Sequence, residues 1–289
     1  MTTVSTARRP GLALAGAALC VLAAVLIGFA ANLTVLGHLQ HARDQNTGYD
    51  ELREQLALGT VPVGQRTFDG KPVTPGTPVA LLKIPALGMR EVVSEGTTSS
   101  VLMSGPGHRR DTPLPGQAGT SVLMGRQWGY GSPFQDVHRL PQGAKITVTT
   151  GQGDAEYQVT GVRRAGDPNP APAGAQEGRL TLLTASGGAY TPDDLVRVDA
   201  KLVSTVQPAP PRPLRPGWIT AAEKPLAGDG DAWLGVFLTG QGLLAAALLA
   251  VAAHRRWGHR QTWLTAVPVL LALGIALSGQ LTRLLPNLL

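Results

Sequence analysis

The stretch LTLLTA, at residues 180–185, decides the fold of this 289-residue chain. It combines leucines with threonine, a β-branched residue, and it is followed by Ser186 and two glycines. A short apolar run closed by turn-forming residues is typical of a strand that is buried in a sheet. The sequence therefore predicts a strand that ends at Ala185.

The same sequence pattern extends over residues 79–203, where glycine, proline and aspartate separate short apolar runs. Seven or eight short strands at such spacing predict an all-β barrel or sandwich, and about 125 residues can bury a core. Residues 165–178 are rich in proline, alanine and glycine and predict a long surface loop. The strand candidates are residues 80–84, 91–93, 121–124, 145–149, 157–163, 180–184 and 195–202.

Three segments are too apolar for a soluble core, namely residues 11–33, 232–253 and 263–285. Their only charged residue is Arg283, and each is long enough to cross a hydrocarbon layer, which takes about 20 helical residues. The first segment could also be a signal peptide, but its apolar run is long and no convincing cleavage site closes it. We therefore expect three transmembrane helices, the first of them an uncleaved anchor.

Positive charges orient these helices. Arg8 and Arg9 precede the first span, and three more arginines lie in residues 254–262, between the second and third spans. Because cytoplasmic loops collect lysine and arginine, we expect residues 1–10 and 254–262 in the cytoplasm. The sequence thus predicts a multi-pass protein of the plasma membrane with its β domain outside. The net charge of +6 reflects this topology, and no nucleic-acid partner is predicted.

Two connecting segments flank the β domain. In residues 34–78, leucines recur among polar residues and predict a helical stalk, which the turn-prone residues 46–48 break, followed by a flexible linker from residue 59. Residues 204–231 are rich in proline and predict a stiff, extended tether to the second span.

Cysteine usage limits the possible chemistry. Cys20 is the only cysteine and lies in the first span, where a small apolar residue is its ordinary role. The β domain therefore has neither a disulfide nor a thiol nucleophile. No Cys or His cluster has zinc spacing, and the acidic pairs near residues 154–156 and 193–194 are typical of solvated turns. The sequence predicts no cofactor and no metal.

Several short motifs follow one another through residues 79–203 in a specific order. They are KIPALG (83–88), EGT (95–97), GPGH (105–108), LPG (114–116), GRQWGYGSPF (125–134) and LTLLTA (180–185). With these motifs the chain resembles the sortase family, and in particular the class E-like sortases of actinobacteria. Sortases are cysteine transpeptidases that attach proteins to the cell walls of Gram-positive bacteria, and the resemblance implies a sortase-like β-barrel.

The chemistry of this family needs a cysteine nucleophile, a histidine that moves protons and an arginine that stabilises the oxyanion. LTLLTA resembles the T-L-x-T-C strand of the family, so the cysteine position falls on Ala185. The histidine position falls on Arg126, which stays protonated and cannot act as a base. The arginine position falls on Asp194, or on Leu195 if the loop is shifted by one. An anionic Asp194 would repel an oxyanion.

Other residues near these positions are weaker candidates. Thr184 and Ser186 adjoin Ala185, but successive side chains of a strand point to opposite faces. His108 and His138 are the histidines of the β domain, and we expect structural or solvent-exposed roles for both. Arg197 is offset from Asp194 by three residues, and we expect it on the other face, in solvent.

Three functions remain open at this stage. The first is a non-catalytic pseudoenzyme whose groove, lined by Arg126, Thr184, Ala185, Ser186 and Asp194, binds sorting-signal peptides. The second is a structural partner that positions an active sortase, a surface protein or a wall-synthesis complex. The third is a transpeptidase or hydrolase with an unrecognised nucleophile, for which Ser186 or Thr184 would be the candidates.

Overall fold

The computed structural model describes residues 26, 28–188, 191–211, 214–215, 217–257 and 259–289. The expected cytoplasmic tail, residues 1–10, lies outside this part of the chain. The expected first span, residues 11–33, lies mostly outside it, and so does Cys20.

Eight strands close into a barrel in the order β1-β2-β3-β4-β7-β8-β6-β5. The barrel confirms one of the two predicted architectures, and each predicted strand lies within an observed one. β3 was missed by the sequence analysis because it is only two residues long and has no pattern of its own. The strands are β1 (Pro78–Ile84), β2 (Met89–Glu95), β3 (Gly107–His108), β4 (Gly119–Met124), β5 (Lys145–Thr150), β6 (Gly153–Arg163), β7 (Gly178–Gly188) and β8 (Thr191–Leu202).

The LTLLTA strand is buried on both of its faces. Leu180 and Leu182 point into the main barrel core, whereas Leu183 and Ala185 belong to a second apolar cluster on the outside of the barrel. A strand that is covered on both sides needs apolar residues at successive positions, which explains its nearly continuous hydrophobicity. The outer cluster is the part of the fold that bears on function.

The predicted stalk is one unbroken helix, α1 (Gly37–Leu58), and it lies against the barrel. The expected break at residues 46–48 is therefore wrong. Gln45 anchors the helix beside that point: its side chain donates to the Val92 carbonyl at 3.2 Å and accepts from the Val92 N–H at 2.6 Å. Gly48 packs against the same Val92, since a Cβ added there would lie 3.5 Å from Cγ1 of Val92. Tertiary contacts thus override the weak helix propensity of these residues.

The two connecting segments also fold back on the barrel. Gln65 exchanges hydrogen bonds with the backbone of Leu214, accepting at 2.7 Å and donating at 3.3 Å. The N–H of Gly217 donates to the Asp111 carboxylate at 2.7 Å. Glu223 forms a buried ion pair with Arg110 at 2.6 Å. The proline-rich segment is consequently docked along much of its length, in contrast to the extended tether that its composition predicts.

Two helices follow, α3 (Ala232–Trp257) and α4 (His259–Leu284). Both are long and apolar enough to cross a membrane, over Ala232–Ala250 and Arg260–Leu284. The expected loop of residues 254–262 is largely helical, because α3 and α4 each extend past the apolar core into the basic residues. A short helix, α2 (Ser99–Ser104), contacts α4, so the hairpin and the barrel meet there.

Candidate functional site

An apolar surface lies on the outer face of β4, β7 and β8. Leu183 is paired with Met124 of β4, and Ala185 lies opposite Leu195 of β8, so these four side chains share one face. Leu102 of α2 packs over them in the same apolar cluster. Ala185 is 1% exposed and contributes only a methyl group to the floor. We call this surface, formed by residues 102, 124, 183, 185 and 195, the groove.

The two hydroxyl groups beside Ala185 do not face the groove. Thr184 is 1% exposed, and its hydroxyl donates to the Gly125 carbonyl at 2.9 Å. Ser186 is paired with Asp194 and alternates with Ala185 along the strand. Neither hydroxyl therefore points in the direction of the Ala185 side chain, as the alternation of side chains along a strand predicts.

Asp194 is also outside the groove. Its carboxylate accepts hydrogen bonds from the N–H groups of Ala165 at 2.9 Å and Leu195 at 2.6 Å. These bonds lower the pKa of Asp194 below its ordinary value, and the nearby charge of Arg197 adds to the effect. The pairing places Leu195, the alternative position, beside Ala185, so the assignment of Asp194 to the groove is corrected to Leu195.

Arg197 lies on the groove side of β8. It is paired with Leu183 and therefore shares the face of Leu183 and Ala185. The sequence correctly predicts that Arg197 and Asp194 lie on opposite faces, but it takes the face of Arg197 for a solvated one. Arg197 is half-buried and forms no hydrogen bond or ion pair within the described part of the chain. Arg197 was not among the predicted groove residues, and it places a cation at the edge of the groove.

Arg126 follows β4 and is held by the backbone on both sides. The N–H of Gly125 donates to the Leu183 carbonyl at 3.1 Å, and the N–H of Phe134 donates to the Arg126 carbonyl at 3.0 Å. Only glycine fits at residue 125, because a Cβ there would lie 2.5 Å from the Phe134 ring. The GRQWGYGSPF motif therefore acts as a tight loop that turns the Arg126 side chain inward.

The guanidinium of Arg126 is fully buried with few partners. Nη2 donates to the Ser99 hydroxyl at 2.7 Å, and the group lies 5.3 Å from the centre of the Tyr130 ring. Nε and Nη1 have no hydrogen-bond partner among the described residues. Burial lowers the pKa of Arg126 to about 10, so the group is still cationic at neutral pH. A buried cation without a carboxylate is costly, and it cannot accept a proton as a base would.

None of the described histidines forms a hydrogen bond with a groove residue. Both ring nitrogens of His108 face acceptors, the Glu95 carboxylate at 2.8 Å and the Pro113 carbonyl at 3.0 Å. Burial opposes protonation of His108, but Glu95 and the Pro113 carbonyl outweigh it and raise its pKa above the ordinary value. The ring of His138 bonds the Gln135 carbonyl at 3.0 Å on the exposed side of the barrel.

His41 on α1 was not considered in the sequence analysis, and its ring bonds Glu91. More important, residues 286–289, which follow α4, were not predicted to reach the barrel. Leu288 is fully buried in the same apolar cluster as Ala185. These residues directly follow an apolar span, and no pattern in the sequence links them to a groove formed more than a hundred positions earlier.

The sequence and the fold can be compared with known proteins. The family model of the sortase domain matches residues 82–203. The comparison with curated proteins gave no match.

Among solved structures, the chain is similar to the sortase D5 transpeptidase of Clostridium perfringens, with 21% identity, a TM-score of 0.47, and coverage of 56% of this chain and 99% of that one. It is similar to sortase E1 of Streptomyces coelicolor with a tripeptide in the active site, with 22% identity, a TM-score of 0.40, and coverage of 46% and 91%. A third is C. perfringens sortase C with the C-terminal cell wall sorting motif, with 19% identity, a TM-score of 0.43, and coverage of 56% and 89%. Residues 82–203 of the chain therefore form a sortase domain.

Proposed function

We propose that this chain is a membrane-anchored sortase-family protein that does not catalyse transpeptidation. It binds a peptide or holds a partner protein during cell-surface protein anchoring. The observation that carries the proposal is the methyl group of Ala185, 1% exposed, at the position where the T-L-x-T-C strand of the family presents its thiol.

The groups near Ala185 support the absence of catalysis. Thr184 uses its hydroxyl to bond the Gly125 carbonyl, and Ser186 lies on the alternate face of β7. A serine or threonine nucleophile also needs a base within hydrogen-bond reach, and His41, His108 and His138 bond other residues. Arg126 is cationic where the family has its histidine. Arg197 could still stabilise an oxyanion, but without a nucleophile no oxyanion forms.

The groove itself supports binding. Met124, Leu183, Ala185 and Leu195 form an apolar floor, Arg197 places a cation at its edge, and the buried Arg126 follows β4 and bonds Ser99 of α2. Apolar walls and backbone groups suffice to hold an extended peptide, whereas catalysis additionally requires the triad. A carboxylate-bearing peptide suits this surface, because unpaired guanidinium groups bind carboxylates well.

The helices α3 and α4 support a membrane location. Few of their side chains are buried by the rest of the chain, since only 6% of each candidate span is covered. With the basic loop in the cytoplasm, the barrel and the end of α4 lie together outside the membrane. This arrangement places the groove where surface proteins emerge.

In-cell photocross-linking tests the proposal. A photoreactive amino acid replaces Trp128, which is 36% exposed in the loop that carries Arg126, and Lys145 on β5 provides the control position. We expect Trp128 to capture an intact sortase or a surface protein through its C-terminal segment. Failure to capture either class at Trp128, or equal capture at Lys145, contradicts the proposal.

A further inference from the structure

The groove is occupied by the chain itself. Residues 286–289, which we call the PNLL segment, leave the end of α4 and return to the barrel. Asn287 and Leu288 are fully buried, and Leu289 is 3% exposed. Residues that follow a membrane hairpin are usually exposed, so this degree of burial requires an explanation.

Leu288 covers the position of the missing cysteine. Its side chain packs in one apolar cluster with Leu102, Met124, Leu183 and Ala185. Its carbonyl accepts a hydrogen bond from the N–H of Gln127 at 3.0 Å, next to Arg126. The small side chain of Ala185 leaves room for this leucine. The segment is thus held as a bound peptide would be, by a side chain in an apolar site and a backbone hydrogen bond.

Asn287 has a recognition site of its own. Its side-chain amide donates to the carbonyls of Thr97 at 2.8 Å and Lys224 at 3.0 Å, and its N–H donates to the Ala227 carbonyl at 2.9 Å. These acceptors belong to the EGT turn and to the docked segment before α3. Carbonyl groups that converge on an amide select asparagine over apolar or acidic side chains.

The position of the segment is coupled to the membrane hairpin. Asp229, just before α3, forms an ion pair with Arg283 near the end of α4, and its N–H donates to the Arg283 carbonyl at 2.8 Å. A movement of α4 relative to α3 would therefore act directly on the segment.

We propose that the groove is a receptor for a short peptide with the order Pro-Asn-Leu-Leu, and that the PNLL segment is its resident ligand. The inference rests on the proposed function and names the ligand class of the same site. A tethered ligand has an effective concentration on the order of millimolar, so a peptide added in solution competes poorly until the segment leaves.

Cysteine cross-linking tests the occupancy in the full-length protein. Ala185→Cys and Leu288→Cys are combined with Cys20→Ser, and a short bifunctional thiol reagent is added. We expect most molecules to form the intramolecular link, whereas Lys145→Cys paired with Leu288→Cys should not. If both thiols of the first pair react singly and no link forms, the groove is not occupied by the segment and the inference fails.

Peptide binding tests the receptor. A fluorescent peptide of sequence LLPNLL is titrated into the full-length protein and into Leu288→Asp, in which a buried charge expels the segment. We expect the variant to bind about tenfold more tightly or better. The same peptide with alanine in place of its asparagine, titrated into the same variant, is the matched control and should bind more weakly.

The remaining outcomes separate the two proposals. If Leu288→Asp binds sorting-signal peptides but not LLPNLL, the receptor inference fails and the proposed function stands. Equal affinity of LLPNLL for both proteins also overturns the inference alone. If neither protein binds any of these peptides, the inference and the peptide-binding form of the proposed function fail together.

Discussion

At the scale of single residues, side-chain size and charge limit what the groove can do. Ala185 presents a methyl group, and Arg126 presents a buried cation whose Nε and Nη1 lack partners. The sequence singled out both positions, because the flanking motifs resemble those that surround the histidine and cysteine positions of the family. It could not predict that, among the described residues, Ser99 would be the only hydrogen-bond partner of the Arg126 guanidinium, since that contact depends on how α2 packs.

The raised pKa of His108 predicts how the stability of the fold depends on pH. Its pKa is raised in the folded protein by Glu95 and the Pro113 carbonyl, which outweigh the opposing effect of burial. The imidazolium therefore stabilises the fold fully below the unfolded pKa of about 6.5, and this contribution is lost as the pH rises through the folded value. Thermal unfolding between pH 5.5 and about 9 should show it as a falling melting temperature.

The matched variant is His108→Gln, which keeps a polar side chain but does not titrate. Relative to this variant, the stability of the wild-type protein should decrease as the pH rises from about 6.5. A difference between the two proteins that is constant with pH, or that grows with rising pH, would contradict the assignment of His108 as a buried imidazolium.

At the scale of elements, the local hydrophobic pattern predicts where the strands lie, but it does not predict the register in which they pair. Counting forward from LTLLTA placed Asp194 in the groove, whereas the β7–β8 pairing puts Leu195 beside Ala185, and the pairing is irregular between Ser186 and Gly187. A bulge changes the register without leaving a mark in composition. In the helix α1, the local pattern itself is misleading. Residues 46–48 have a weak helix propensity, but contacts with β2 keep them helical.

A partly buried ion pair contributes to the docking of the segment before α3. Glu223 accepts from Nε and Nη2 of Arg110 at 2.6 Å and 2.8 Å and closes a capping box with Thr220. Replacing Glu223 with alanine leaves Arg110 unpaired, and we expect a loss of roughly 2 kcal/mol or more of unfolding free energy. Limited chymotrypsin digestion should then cut faster after Trp218, which lies in this segment and is followed by Ile219.

The control for this change is Glu177→Ala, because Glu177 forms an exposed ion pair with Arg179. Exposed pairs contribute at most about 1 kcal/mol, so stability and the digestion pattern should barely change. If Glu223→Ala digests like the wild-type protein, the ion pair does not hold the segment on the barrel.

At the scale of the whole molecule, charge and hydropathy predict the order of the apolar helices, the connecting segments and the β domain along the chain. They do not predict the tertiary contacts between these parts. The barrel and the two apolar helices could be predicted from the sequence. The contact between Asn287 and Thr97 joins residues 190 positions apart, and no periodicity links them. The covering of the groove by Leu288 therefore depends on the tertiary fold and not on any local pattern.

The proposed topology places the barrel outside the cell and the loop between α3 and α4 inside. Phe68, which is 93% exposed, and Arg256, also exposed, are each replaced by cysteine in a Cys20→Ser background. A membrane-impermeant maleimide should label Phe68→Cys in intact cells, and it should label Arg256→Cys only after permeabilisation. Labelling of Arg256→Cys in intact cells would contradict this orientation.

The central claim is the absence of transpeptidation, and a mass-spectrometric activity assay tests it directly. The full-length protein in detergent is incubated with a sorting-signal peptide and an amine acceptor, alongside an active sortase. We predict neither an acyl-enzyme nor a cleaved or transferred product for this protein, and all of them for the control. A product that disappears in Ser186→Ala or Thr184→Ala would contradict the claim and identify the nucleophile.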